Sequence, residues 1–206
     1  MNNTVELLGY YGSDLTHAQS AWTSTSRDIT EEKRNRIPQL LEMLASEGHH
    51  TPFEKSSLHF LVTVDQATHI HLLKHRIGVS INGESARYKE LKENKFIVPE
   101  DWPEELKKTL MAYTIATNTT YHQVLDALTP ILGRKRAKES ARFFKMMNSQ
   151  ISIDIMFNFR SFVHFLTLRY DEAAQKEVRE LAGEMLNLVK NIEGNPFEYT
   201  LKAFKY

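Results

Sequence analysis

Two stretches far apart in the chain, SLHFLVTV at 57–64 and ISIDIMFNF at 151–159, alternate apolar and smaller or polar residues, with Leu58, Phe60, Val62 and Val64 in the first and Ile151, Ile153, Ile155, Phe157 and Phe159 in the second. Successive side chains of an extended chain point to opposite faces, so each stretch predicts a strand with one face buried. VELLGYY at 5–11 reads as a third, short strand ended by Gly12. Most of the remaining chain carries helical spacing, and the strands do not alternate regularly with helices. The pattern predicts an α+β fold rather than a doubly wound one.

The helical segments have recognisable ends. Residues 14–25 follow Asp14 as a candidate cap; in 26–48, Asp28 and Glu31 have capping-box spacing, Ile37, Leu40, Leu41 and Leu44 form an apolar stripe, Pro38 marks a kink and Gly48 a stop. A helix from about Asp65 would bring His71, Lys74 and His75 onto one face. After a polar loop, a long helix runs from Pro103 to about Gly133, followed by a shorter basic one, a helix in RSFVHFLTLRY and an amphipathic helix over 171–192. No linker, repeat or compositional break interrupts the chain, which predicts a single domain over 1–206.

Lys plus Arg equals Asp plus Glu at 26 each, so no global field draws this chain to nucleic acid or to an anionic membrane, and any anion site must be local. No stretch approaches the roughly 20 apolar residues of a membrane span, and the first residues lack a secretory pattern, which predicts a cytoplasmic protein. The chain has no cysteine: it can form neither disulfides nor thiolate metal sites, and it cannot use a cysteine nucleophile.

A local cation cluster exists in KHRIGVSINGESARY, residues 74–88. Lys74, His75, Arg76 and Arg87 surround a run in which Gly78 and Gly83 permit tight backbone and Ser80, Asn82 and Ser85 offer hydrogen bonds, chemistry that suits a phosphate. Neither GxxxxGK[ST] nor GxGxxG is present. Arg134, Arg136, Arg142, Arg160 and Arg169 lie in or beside segments that also read as core, where each needs an anionic partner. That partner is either a ligand or a carboxylate such as Glu139, Asp154 or Asp171. His71 and His75 have the spacing of a helical zinc pair, but HExxH is absent and Lys74 stands beside them, so no metal site is predicted.

Four segments in order, GHHTPFE (48–54), KHRIGVSINGESARY (74–88), ESAR (139–142) and NFRSFVHFLTLR (158–169), resemble the flavin-dependent thymidylate synthases, and AQKEVRELAGEML agrees with them. The resemblance runs from about residue 26 to the end. It implies a central antiparallel sheet flanked by helices, a homotetramer with active sites where subunits meet, and C5 methylation of dUMP to dTMP. It also implies methylenetetrahydrofolate as carbon donor, FAD as redox mediator and NADPH as reductant. The absent cysteine agrees with this, because activation of uracil by a thiolate at C6 is closed to the chain.

By motif position, the resemblance assigns FAD contacts to Thr51, Lys74, His75, Arg76, Glu84, Asn158, Arg160 and His164, with His49 beside the flavin. It assigns dUMP contacts to His71, Lys74, Glu84, Ser85, Ala86, Arg87, Tyr88 and Arg142, with Ser85 and Arg87 facing the phosphate. Arg169 matches the arginine that polarises the pyrimidine. The chain departs from the family pattern at Lys74, where arginine is usual, at His71 and His164, where amides are frequent, and in having eight residues between Arg76 and Ser85. Two other readings compete: a histidine-metal nucleotide phosphohydrolase using His49, His50, His69, His71 and His75, and a nucleotide-binding homologue without chemistry.

Overall fold

Both alternating stretches are strands, and the computed structural model describes residues 2–91 and 95–206. Strand β1 (Thr4–Tyr11) is followed by helices α1 (Asp14–Trp22), α2 (Glu31–Asn35) and α3 (Ile37–Ser46), a 3₁₀ turn (Thr51–Lys55), strand β2 (Ser57–Asp65), helix α4 (Gln66–Leu72) and strand β3 (Val79–Gly83). Then come the long helix α5 (Glu104–Ala141), a 3₁₀ turn (Arg142–Phe144), strand β4 (Gln150–Asn158) and helices α6 (Phe159–Arg169), α7 (Lys176–Lys190) and α8 (Glu198–Ala203). The four strands form one antiparallel sheet in the order β1-β2-β4-β3, so the two alternating stretches are neighbours at its centre. This is the α+β arrangement expected.

The chain clusters into two units that interleave in sequence: Met1–Thr4, Val62–Leu73 and Asn82–Ile153 in the first, Val5–Leu61, Lys74–Ile81 and Asp154–Tyr206 in the second. In the first unit, α5 buries Tyr121, Leu125, Ala137 and Ala141. The Tyr121 hydroxyl accepts from the Leu91 backbone N–H at 3.1 Å, which ties the segment after β3 to the helix. Gly133 breaks the helical geometry at φ 75°, ψ 151°, at the stop the sequence predicts, but the helix resumes and runs on to Ala141. Asp65 caps α4, accepting from Thr68 N at 2.9 Å and Thr68 Oγ1 at 2.7 Å.

In the second unit, aromatic rings fill the core. Phe60 stacks on Phe162 at 5.8 Å between centroids, and Phe157 meets Phe162 edge to face at 5.9 Å. Helix α7 covers α6 with Val178, Leu181, Met185 and Val189, all buried. A second cluster of Ala18, Ile37, Leu41, Leu44 and Phe53 joins α1, α3 and the 3₁₀ turn at 51–55. Through it runs a buried polar chain. Thr200 Oγ1 donates to Asp14 Oδ1 at 2.6 Å and lies 2.8 Å from His17 Nδ1, while His17 Nε2 lies 2.7 Å from Ser56 Oγ. Since the Thr200 proton goes to Asp14, the His17 Nδ1–H donates to Thr200 and the Ser56 hydroxyl donates to Nε2. Burial pushes the His17 imidazole down to about 3, so it stays neutral in this chain of bonds.

Several local expectations are revised. Residues 79–83 form a strand, not a loop, because an apolar Val79 and Ile81 alternate with polar neighbours over too short a run to be legible alone. Ser13, not Asp14, caps α1, in a capping box with Thr16. The helix read over 26–48 is two: Thr30 caps α2, and Pro38 lies in the first turn of α3, where its missing N–H is harmless. Helix α7 begins at Lys176 rather than Asp171, and α8 has no counterpart in the sequence reading.

Candidate active site

Strand β4 ends where α6 begins, at Asn158, whose side chain accepts from Ser161 N at 2.8 Å and so caps the helix. The same residue holds the signature segment: Asn158 N donates to Gly78 O at 2.8 Å, and Ser161 Oγ donates to Ile77 O at 2.6 Å. Gly78 lies at φ +65°, and a Cβ there would sit 2.2 Å from Asn158 Nδ2 and 2.5 Å from Ser161 Oγ. Only glycine lets this backbone lie on the helix end. Beside this junction Asn158, Arg160, His164, His50, Ile77 and Phe204 bound a cavity of 420 Å³. A second, more open hollow of 590 Å³ shares Glu54 and Asn158 in its wall and adds Tyr11, Ser57 and Ser80.

Arg160 does not take Asp154 or Asp171 as its partner. Its Nη1 bonds Glu54 Oε1 at 2.5 Å, with half of the arginine side chain still exposed. Glu54 belongs to GHHTPFE, so the pair links two of the four motif segments on the cavity wall. Asp154 instead meets His59 at 2.5 Å, and Asp171 accepts from Ala173 N at 2.9 Å.

Arg169 is the last residue of α6, and its Nε donates to His75 Nε2 at 3.0 Å. His75 is buried, with its ring against Phe165 at 5.2 Å and 6.1 Å from that of His164. Lys74 and Arg76, on either side, are exposed. Helix α4 ends at Leu72, so Lys74 and His75 are not carried on one helical face with His71, as the spacing predicts. His49 and Thr51 are exposed at the start of the 3₁₀ turn; their side chains do not line the 420 Å³ cavity.

The remaining predicted residues gather in the first unit. Glu84 continues the edge of β3: its N–H donates to Ser152 O at 2.9 Å and its Oε2 accepts from Ser152 N at 3.0 Å. Partial burial pulls the Glu84 carboxyl upward, but the Lys89 ammonium, the Ser152 N–H and the Lys95 charge outweigh it and leave the group below the usual carboxylate range. Ser85 turns the chain, its backbone O accepting from Tyr88 N at 3.0 Å and Lys89 N at 2.9 Å, its Oγ from Arg87 N at 3.3 Å. Arg87 Nε then donates to Glu139 Oε1 at 2.8 Å, and Lys138 Nζ to Tyr88 O at 2.7 Å. ESAR thus braces the SARY turn. Arg142 is exposed in the 3₁₀ turn that follows α5. Arg136 also reaches Glu139, at 3.4 Å, whereas Arg134 pairs with Glu90.

The family described as "Thymidylate synthase complementing protein" matches residues 6–193. The flavin-dependent thymidylate synthase of Clostridium tetani is 30% identical over 187 residues, spanning 85% of this chain and 74% of that one. This chain belongs to the flavin-dependent thymidylate synthase family. The member from Pseudothermotoga lettingae is 30% identical over 192 residues, spanning 91% of this chain and 85% of its own. Among solved structures, a UMP/dUMP methylase, PolB, from Streptomyces cacaoi bound with 5-Br dUMP superposes with a TM-score of 0.85 at 24% identity. It covers 98% of this chain and 94% of that one, which establishes the shared fold.

Against the family's motifs, the structure adds residues that the motifs do not single out. Glu54 was legible inside GHHTPFE but carried no assigned role; its position opposite Arg160 supplies one. Ile77 and Gly78 contribute backbone rather than side-chain chemistry, which motif reading overlooks. Phe204 lies beyond residue 193, where the match to the family description ends, and belongs to none of the four motif segments.

Proposed function

We propose that this flavin-dependent thymidylate synthase carries out the reductive C5 methylation of dUMP to dTMP, with methylenetetrahydrofolate as carbon donor, FAD as redox mediator and NADPH as reductant, in the cytoplasm. The observation that carries the reading is the cavity at the Asn158 junction, where the KHR signature segment, GHHTPFE and the start of α6 meet in one wall. The residues there fit a flavin dinucleotide. Its diphosphate suits the positive N-terminal end of α6 beside the half-exposed Arg160 guanidinium, which reaches it by exchanging part of its pairing with Glu54. His164 and Asn158 offer hydrogen bonds to the rest. Lys74, His75, Arg76, His49, Thr51 and Glu84 complete the proposed cofactor set.

Bound there, FAD supplies the redox chemistry that lets a chain without cysteine methylate uracil. The protein's part is binding, orientation and charge. In the proposed dUMP set, Ser85 and Arg87 hold the phosphate, with Arg87 aimed by Glu139. Glu84, Ala86, Tyr88, His71, Lys74 and Arg142 shape the nucleotide site. Arg169 withdraws charge from the pyrimidine carbonyls through a guanidinium already oriented by His75.

A homotetramer with shared active sites is part of the proposal, and α5 supports it: Tyr113 and Ile131 on that helix are 66% and 74% exposed, with Leu106 and Ile115 also uncovered. Residues 1–206 act in it as one functional domain. The metal phosphohydrolase reading finds no group of three or more His, Asp or Glu arranged to hold a metal ion among the described residues. None of the helices there is long and apolar enough to cross a membrane.

Two measurements test the proposal. The purified protein should show flavin absorption bands, and its NADPH oxidation should respond to dUMP with dTMP formed; a protein that stays colourless and inert after FAD is added rejects the assignment. Mixing Arg87→Ala and Arg169→Ala subunits should restore part of the activity that each lacks, and no recovery on verified subunit exchange rejects shared sites.

A further inference from the structure

The segment after residue 193, beyond the four motif segments, reaches back to the cavity described above. Phe204, one residue beyond α8, lines it beside His50, and the two rings meet edge to face at 5.4 Å. Phe53, fully buried, supports Phe204 from within at 4.9 Å. His50 Nε2 lies 3.3 Å from Ala45 O, which fixes that ring in turn. Both His50 and Phe204 are half-buried, so each keeps surface open to the cavity. The Tyr206 hydroxyl lies 3.3 Å from Thr167 Oγ1, another residue of the same wall.

Buried hydrogen bonds hold this segment. Asp14 accepts from Tyr199 N and Thr200 N, both at 2.8 Å, and from Thr200 Oγ1 at 2.6 Å. Thr200 is linked onward through His17 to Ser56, in a chain of bonds with one direction throughout. Apolar contacts alone hold a helix against a core but tolerate sliding; a fully satisfied buried polar chain sets its register. The residue placed by that register is Phe204.

We propose that the C-terminal segment is part of the cofactor site: Phe204, backed by His50, lies against a planar ring of the flavin dinucleotide, and the chain Asp14, Thr200, His17, Ser56 sets its position. An aromatic ring with one side on the core and the other on a cavity is a stacking surface for any flat heterocycle. The inference rests on the reading of the cavity as the FAD site.

The test is titration of FAD into the full-length chain freed of flavin, followed by flavin fluorescence, for wild type, Phe204→Leu, Phe204→Tyr and Arg160→Ala, with thermal melting as the check on folding. Phe204→Leu should bind FAD about tenfold more weakly, in line with the loss of one stacked ring, while Phe204→Tyr binds as wild type. Unchanged affinity in Phe204→Leu together with weaker binding by Arg160→Ala overturns the inference and leaves the cavity reading in place. Unchanged affinity in both overturns the two together. Should Phe204→Leu melt early, Phe204→Met carries the test, since it keeps most of the side-chain volume and removes the flat ring; severalfold weaker binding is expected, and wild-type affinity overturns the inference.

Discussion

Arg169 Nε donates to His75 Nε2 at 3.0 Å, joining the last residue of α6 to the middle residue of the KHR triplet. The bond needs an unprotonated Nε2 and leaves the two terminal nitrogens of the guanidinium for a ligand. His75 itself cannot turn away, because it is buried against Phe165. Under the proposed assignment it positions the arginine that polarises the pyrimidine. Its replacement should therefore act on turnover more than on binding: His75→Leu is expected to lower kcat by about 10²-fold with a much smaller change in the KM for dUMP, and His75→Gln, which keeps an acceptor, by less. Steady-state kinetics decide; equal effects on kcat and KM would mean that His75 serves binding.

The Arg87 and Glu139 pair makes a different prediction. Arg87 holds the Glu139 carboxyl below the usual range, and the carboxylate in turn fixes the Nε edge of an otherwise half-exposed side chain. Glu139→Gln should raise the KM for dUMP about fivefold while FAD affinity is unchanged. An unaltered KM would show that Arg87 finds the phosphate without this brace.

Gly78→Ala tests the junction that builds the cavity. The substitution meets both an unfavourable φ of +65° and atoms of Asn158 and Ser161 within 2.8 Å. Stability should fall by about 2 kcal/mol or more, read from denaturant unfolding, with FAD affinity lost in parallel. Wild-type stability would mean that the segment relaxes away from α6 at no penalty.

The buried His17 predicts acid sensitivity. Its folded value is depressed to about 3, from 6.5 in the unfolded chain, so its contribution is complete above pH 6.5 and is lost as pH falls toward 3. Unfolding free energy should fall with a slope that approaches about 1.4 kcal/mol per pH unit from about one unit below 6.5, for a total of about 2 kcal/mol by pH 5. Burial raises the Asp14 carboxyl, which works in the opposite sense as the pH approaches its own range, so the comparison belongs between pH 7 and 5. His17→Asn should flatten the slope; the same slope in the variant would assign it to other groups.

Which parts of this were legible beforehand follows from how far each signal reaches along the chain. The strands at 57–65 and 150–158 announce themselves because a half-buried strand writes a period of two over nine residues, and the capping chemistry of Asn158 and Asp65 is local. Strand β3 is hidden since an edge strand of five residues, with exposed Ser80, Asn82 and Gly83, leaves too little pattern. Resemblance names the motif residues as a set but not which residue each one meets: Glu54 for Arg160, His75 for Arg169 and Glu139 for Arg87 are 106, 94 and 52 positions away.

The amino-acid sequence by itself determined the fold class, the family and the exclusion of thiol chemistry, and it marked the segments in which charged side chains cluster. Each of these depends on residue type and on spacing within one element or motif. Only the tertiary structure decided which cation meets which carboxylate, that Gly78 serves as a seat for α6, and that Phe204 at the far end of the chain closes the wall behind His50. Those pairings follow from packing within each unit: once the backbone elements are in place, a charged or polar side chain meets the partner within reach in space, whether buried as at His75 or half-exposed as at Arg87 and Arg160, and that partner is not set by distance along the chain.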